Sequence, residues 1–375
     1  MSQTEKLLRE LIALPSVNPA FLPANDPRAG EQRMVDFLAA TAAQAGLDIE
    51  LQPVLPGRFN FIARLCPRQK TRHRIVLAPH LDTVNAPDKL FTPIKKDGRL
   101  YGRGASDTKG SVAAMVTSLC ELASQPSRPT QTEILFAGLV DEENAQAGSR
   151  ALAGSRLRAD LAIVGEPTCL QVVTAHKGDL WMILRTRGVS AHGSRPELGR
   201  NAVHAMARVV DLLETKYAKQ LRRRRHPVLG RPTINVGAIR GGAQANIVPD
   251  NCEILIDRRT LPGETEAQVE REIHSLLRKH GLVVTFDRGR LAPCEPLETD
   301  PKLPLVRQFL SSIGQRKLAG VNYFCDASVL SRGGIPSIVF GPGDIAQGHT
   351  TNEWIELKSL ERGKSILLNF LKSLP

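Results

Sequence analysis

Residues 73–84 read "HRIVLAPHLDTV". An aliphatic run, Ile75 to Ala78, stops at Pro79, and His80 and Asp82 follow at once. A short continuous apolar run of this kind suits a strand buried on both faces, as in parallel sheets covered by helices. Three other runs have the same form: "TEILFAGLV" at 132–140, "ADLAIVGE" at 159–166 and "PSIVFGPG" at 336–343. Helical patterns separate strand-like runs over much of the chain. The expected fold is therefore α/β, with a mixed, largely parallel sheet flanked by helices.

Between the third and fourth runs the rhythm changes. "DLWMILRTRGVSAHG" reads as a strand, "GRNAVHAMARVVDLLETKYAKQL" as one long helix, "PTINVGAIRGG" and "DNCEILIDRRT" as strands, and "TEAQVEREIHSLLRKHG" as a second helix. Two helices on a small antiparallel sheet make a compact α+β unit. The expected layout is a discontinuous domain, 1–177 and 292–375, interrupted by an inserted domain at 178–291.

The chain of 375 residues carries a formal net charge of +12. No apolar stretch reaches the roughly 18–20 residues of a membrane span, and the charged, leucine-spaced start does not resemble a signal peptide. Six cysteines without a CxxC pair suit free thiols, so a cytoplasmic location is expected. The basic run "LRRRRHPVLGRP" at 221–232 has no aromatic residues interleaved for base stacking. It reads as a solvated helix end and loop, and no nucleic-acid partner is expected.

Chemistry gathers at the ends of the apolar runs. "YGRGASDTKGSVAAM" at 101–115 places Asp107 in a glycine loop just before a helix. Glycine loops at helix starts cradle phosphates, but this one lacks the third glycine of the dinucleotide fingerprint and the GK[ST] ending of a P-loop. Read alone, Asp107 is a helix cap. "DEEN" at 141–144, Glu166 of "GEPT" and His349 of "GHTTNEW" stand beyond the other runs. Carboxyl ends of strands in an open α/β sheet form one crevice, where ligands bind. Two histidines and several acids, with no cysteine, suit zinc, cobalt or manganese at a catalytic site. Five ligands suit two ions sharing one carboxylate, with residual positive charge to acidify a bridging water. Asp82 stands where it can orient the His80 imidazole. Of Glu142 and Glu143, one can bind metal while the other serves as general base and acid.

Eight ordered blocks, "PHLDTV", "GRGASDTKG", "DEEN", "GEPT", "AHGSRPELGRNAV", "GGAQANIVPDNCEILIDRRTLPGE", "DASVLSRGGIPSIVFGPGDIAQGHT" and "NEW", carry a resemblance that covers nearly the whole chain. Together they resemble the co-catalytic zinc aminoacylases and exopeptidases that include acetylornithine deacetylase, succinyl-diaminopimelate desuccinylase and glutamate carboxypeptidase. The resemblance implies two divalent ions, with zinc expected and cobalt or manganese able to substitute. It places His80 and Glu166 on different ions, Asp107 between them, Glu143 on one and His349 on the other. Glu142 would be the general base and Asp82 the aspartate behind His80. The inserted domain would be a lid through which the chain forms a homodimer, with His192 reaching the other subunit's oxyanion and Asn246 near it. Arg259 would clamp a substrate carboxylate through its bidentate fork, and Arg258 would face away because neighbours on a strand alternate. Asp326, retained in "FCDAS" where relatives often have Gly-Thr-Asp, is expected in the substrate pocket beside Cys325. The family also implies a cis peptide after Asp107.

The resulting expectation is a metal-dependent amidohydrolase that frees an amino acid from its N-acyl group by attack of a metal-bridging hydroxide. "GIPSIVFGPGDIAQGHTTNEW" tilts the resemblance towards the acetylornithine deacetylase branch. A carboxypeptidase, a dipeptidase or a succinyl-diaminopimelate desuccinylase-like deacylase would use the same chemistry on a small N-acyl amino acid or short peptide. A catalytically silent peptide binder would lack ligands that are all present here. A two-metal phosphoesterase would share the metal logic but not the lid His, Asn and Arg.

Overall fold

The computed structural model describes residues 1–126, 128–289 and 292–375. The chain divides into two compact units: residues 1–174, 299–319 and 325–375 form the first, and residues 175–298 and 320–324 the second. The expected inserted domain ended at Leu291, which lies outside the described residues; the second unit begins at Ala175 and runs to Glu298.

The first unit is built on a mixed sheet in which β1 (Asp48–Leu55), β2 (Arg58–Leu65), β6 (Thr132–Gly138), β3 (His73–Pro79), β7 (Leu161–Gly165), β15 (Ser337–Val339) and β8 (Val173–His176) lie in that spatial order. The four strands β6, β3, β7 and β15 run parallel. Antiparallel strands flank them, β2 against β6 and β8 against β15. Burial explains the split. Every residue of β6 and β7 is buried, whereas β1 is exposed along its first four residues. A small second sheet pairs β4 (Ile94–Lys96) and β16 (Trp354–Glu356) with β5 (Arg99–Tyr101).

Helices α1 (Gln3–Ala13), α2 (Gln32–Gln44), α3 (Lys109–Ala123), α4 (Ala147–Gly154), α8 (Pro304–Ser312), α9 (Ala327–Arg332) and α10 (Leu357–Lys372) complete this unit. α3 is apolar almost all round, "KGSVAAMVTSLCELA", and twelve of its residues are buried. A helix of that composition belongs in the interior. Its valines, alanines, Met115 and Leu119 join one hydrophobic core with residues of α1, α10 and the sheet. Phe309 stacks on Phe370 with centroids 4.5 Å apart and tilts against Phe340, tying α8 and α10 to the end of β15. Among the described residues no helix is long and apolar enough to cross a membrane.

The second unit has a four-stranded antiparallel sheet, ordered β10 (Thr233–Gly241), β11 (Asn251–Thr260), β9 (Gly178–Arg187) and β12 (Thr285–Arg288). α5 (Ala202–Leu212) and α7 (Glu266–Lys279) share a core with it around Met206, Val209, Ile254, Ile256 and Ile273. The long helix read at 199–221 is interrupted. A π turn at Leu213–Tyr217 separates α5 from α6 (Ala218–Leu221), and it sets Leu213 and Tyr217 into the core. α7 begins with a capping box, in which Thr265 and Gln268 satisfy each other's backbone amides. Short strands β13 (Leu297–Glu298) and β14 (Ala319–Val321) lie where the chain passes between the units, and β13 pairs with the end of β8.

One residue at that passage has a measurable consequence. His176 is fully buried, its Nδ1 donates to the Lys177 carbonyl at 2.9 Å, and among the described residues its Nε2 has no hydrogen-bond partner. Burial pulls its pKa from 6.5 down to about 4. Below pH 6.5 the unfolded chain therefore binds a proton that the folded chain refuses, and stability falls until about pH 4. The difference in unfolding free energy between wild type and His176→Leu should shift by at most about 1.4 kcal/mol per pH unit across that window. Urea titrations at several pH values would show it, and a difference that stays flat would remove His176 from the acid response.

Candidate active site

Three adjacent parallel strands each deliver a side chain at their carboxyl ends. β3 is followed by His80, β6 by the turn carrying Asp141, Glu142 and Glu143, and β7 by Glu166. β15 leads into a longer loop that reaches His349. Asp107 comes from the loop between β5 and α3, and the Asp107–Thr108 peptide is cis.

His80 is buried. Its Nδ1 donates to the main-chain carbonyl of Asp82 at 2.9 Å, which turns Nε2 towards the acids. Nε2 lies 3.2 Å from Asp107 Oδ1 and 3.9 Å from Glu166 Oε1. On the other side, His349 Nε2 lies 3.1 Å from Glu143 and 3.4 Å from Asp107 Oδ2. Asp107 thus offers one oxygen to each histidine, and each histidine has its own glutamate.

The Asp82 carboxylate lies 3.5 Å from His80 Nδ1, beside the shorter contact made by its own carbonyl. The carboxylate also accepts the backbone amides of Glu142 at 3.0 Å and Glu143 at 3.1 Å, and Asn18 Nδ2 at 2.7 Å. One buried carboxylate thereby suspends the two glutamates and, through its main chain, orients the imidazole.

Behind Asp82 lies a network that local sequence reading missed. Asn18 also donates to Asp141 at 3.0 Å. Arg58 donates to Asp141 at 3.0 Å and to both oxygens of buried Glu31 at 2.5 and 2.9 Å. Asp141, first acid of "DEEN", therefore faces this network.

The electrostatics are those of an acid cluster short of cations. Burial raises Glu142 and Glu166 well above the ordinary carboxyl value; neighbouring acid charges add to this, and His80 only partly offsets it. Burial and the charge of Asp107 raise Glu143, against its bond to His349. Asp107 and Asp82 are held low: burial opposes this, but hydrogen bonds and charge from His80 prevail. Burial also pulls His80 down, yet its bonds to Asp107 and Asp82 and the charges of Glu166 and Glu142 hold it well up. Like charges this close ask for a counter-cation. Among the described residues, His80, Asp107 and Glu143 each place a donor atom within 4.8 Å of the others. Imidazoles and carboxylates without thiolate fit divalent ions such as zinc or manganese.

Asp326 was expected at the substrate, but it is only 1 % exposed. Its Oδ1 accepts from Ser149 at 2.5 Å and Gln146 at 3.3 Å, and burial lifts its pKa to about 6. Its charge adds to those that raise Glu142 and Glu166. Cys325 is buried too, and burial raises its thiol well above the ordinary value, so it offers no thiolate.

In the second unit, His192 forms a bridge with Ile247, and Gly193 N donates to the Asn246 carbonyl at 2.7 Å, so the two loops lie together. His192 is exposed and its Nδ1 bonds Ser194. Arg258 is fully buried against Glu264, whereas Arg259 on the opposite face is 28 % exposed and pairs with Asp257 at 2.9 Å and Asp179 at 3.5 Å.

Residues 76–373 match the model of peptidase family M20/M25/M40. This chain belongs to that family. Over 96 % of its length it is 34 % identical to acetylornithine deacetylase of Proteus mirabilis strain HI4320, covering 94 % of that protein. It is 32 % identical to the acetylornithine deacetylase of Edwardsiella ictaluri strain 93-146, covering 97 % of this chain and 96 % of that one. Among solved structures, aminopeptidase PepT from Bacillus cereus ATCC 10987 superposes with a TM-score of 0.78 at 21 % identity, covering 99 % of this chain and 97 % of that one. The metallo-carboxypeptidase Sso-CP2 from Sulfolobus solfataricus gives 0.75 at 18 % identity and covers 99 % of both. The structural likenesses speak for the fold. As an M20/M25/M40 member, the chain is a metal-dependent hydrolase of amide bonds.

Proposed function

We propose that this M20/M25/M40 hydrolase is a two-metal deacylase that releases an amino acid from its N-acyl derivative, in the manner of an acetylornithine deacetylase. One observation carries the metal arrangement: Asp107 presents Oδ1 to His80 at 3.2 Å and Oδ2 to His349 at 3.4 Å. His80 with Glu166 would hold one divalent ion and His349 with Glu143 the other, zinc being the expected ion. Bound there, such ions acidify water and polarise a carbonyl oxygen.

Glu142 is the acid left over. Its raised pKa suits a group that takes a proton from the attacking water and returns it to the leaving nitrogen. Asp82 fixes the Glu142 backbone, so the carboxyl starts from a set position. Arg259, though paired with Asp257, keeps enough exposure to grip a substrate carboxylate. The second unit serves as lid and dimer contact, bringing His192, with Asn246 beside it, to the oxyanion formed in a second copy.

Full-length relatives above 30 % identity, named as deacetylases, favour deacylation over peptide cleavage. The test is turnover of metal-stripped protein reloaded with zinc or cobalt, on N-acetyl amino acids, N-succinyl amino acids and dipeptides. N-acetyl amino acids should be turned over best. Cleavage of dipeptides alone would replace this reading with a dipeptidase. In the same assay, inactive His192→Ala mixed with inactive Asp107→Asn should regain activity by sharing sites, and no recovery would count against a site completed by a second copy.

A further inference from the structure

The glycine loop that carries Asp107 is an anion cradle, and the chain fills it with its own carboxylate. Glu353 stands just before β16, and β16 is paired to β5 through Trp354 and Tyr101. The Glu353 side chain is fully buried. Its Oε1 accepts the backbone amides of Ser106 at 2.9 Å and Asp107 at 3.0 Å. Its Oε2 accepts the Gly104 amide at 3.0 Å and the Arg103 guanidinium at 2.7 Å. Successive amides pointing into one concavity bind anions, and four bonds to a charged acceptor offset much of the cost of burying it.

Further contacts join the same two loops. Arg103 reaches on to the Thr350 carbonyl at 3.0 Å, and Gly102 N donates to the Glu353 carbonyl at 3.0 Å. Ser106 Oγ bonds the main chain of Asp344 in both directions, at 3.0 and 3.1 Å. At Gly348 a Cβ would stand 2.8 Å from Asp107 Oδ2, so the residue before His349 rests against that carboxylate. The loop bearing Asp107 and the loop bearing His349 are thus one assembly, with Glu353 and Arg103 at its centre.

We infer that Glu353 and Arg103 are a positioning pair that fixes the spacing of Asp107 and His349, and so sets the divalent-cation affinity of the half-site these two share with Glu143. The inference rests on the two-metal reading above. A glutamine at 353 has the same shape but keeps one acceptor oxygen, and its amide would face two donors. Arg103→Lys keeps the charge and loses the fork that spans Glu353 and Thr350.

The experiment is titration of the metal-free, full-length protein with Co²⁺ alone, read by visible absorption, with circular dichroism of the metal-free form as the folding check. In Glu353→Gln and Arg103→Lys one of the two cobalt equivalents should lose about 10- to 100-fold in affinity, as changes to groups behind metal ligands do. The other equivalent should change less. Wild-type affinities in both folded variants, or equal weakening of the two equivalents, would overturn the inference. If Glu353→Gln does not fold, Arg103→Lys decides alone. Failure of the wild type to take up cobalt would bring down the metal reading itself, whereas normal uptake without deacylase activity would refute only the substrate.

Discussion

Glu142→Gln should lower kcat by about 100- to 10,000-fold, the usual range for loss of a positioned general base, while cobalt uptake stays near wild type. The geometry separates the two effects. Among the described residues, His80 and His349 come within 4 Å of Asp107, Glu166 and Glu143 but not of Glu142. Glu142 is nevertheless buried next to them, and burial together with the charges of Glu166, Asp326 and Glu143 raises its pKa. The amide of glutamine preserves the shape and the backbone bond to Asp82 but cannot carry the proton. Steady-state kinetics and cobalt absorption on one preparation check both halves of the claim. A variant with near-normal kcat would reassign the base, and one that fails to bind cobalt would make Glu142 a ligand.

Arg58→Met should destabilise the fold by about 3–5 kcal/mol, the cost of removing one partner from a buried ion pair. Arg58 is the guanidinium that reaches both Glu31 and Asp141, which are buried. Its own pKa is raised: burial works against the charge, and the bond and charges of Glu31 and Asp141 outweigh it. Methionine would leave two acids facing each other beside Asn18 and Asp82. Urea unfolding of metal-free protein measures the loss. Glu31→Gln in the same chain should recover much of it, because the two changes act on one network. A loss below about 1 kcal/mol would place Arg58 with the surface pairs that contribute little.

The histidine and acids at the ends of β3, β6 and β7 were legible because each follows an apolar run directly, so that fold class and crevice came from one pattern. His349 was different. It stands ten residues beyond β15, so the apolar run before it points to it only across a long loop. Asn18, Glu31, Arg58 and Asp141 come from four stretches far apart in the chain, and nothing periodic in sequence joins them. Asp82 is legible as the aspartate beside the imidazole, but its main-chain bond to His80 is not; main-chain acceptors leave no trace in residue type. Glu353 was quoted within "NEW" without a role, since a buried carboxylate among backbone amides has no side-chain partner pattern except Arg103. The π turn at Leu213–Tyr217 hides inside a sequence that is helical throughout.

The order of strands along the chain also bears on how the protein is made. β7 pairs on one side with β3, which precedes it, and on the other with β15, which is translated only after the whole stretch from Ala175 to Glu298. A nascent polypeptide therefore holds an unfilled hydrogen-bonding slot beside β7 while that stretch emerges from the ribosome. Open strand edges of this kind invite pairing with the wrong neighbour until Ser337–Val339 arrives to fill the slot.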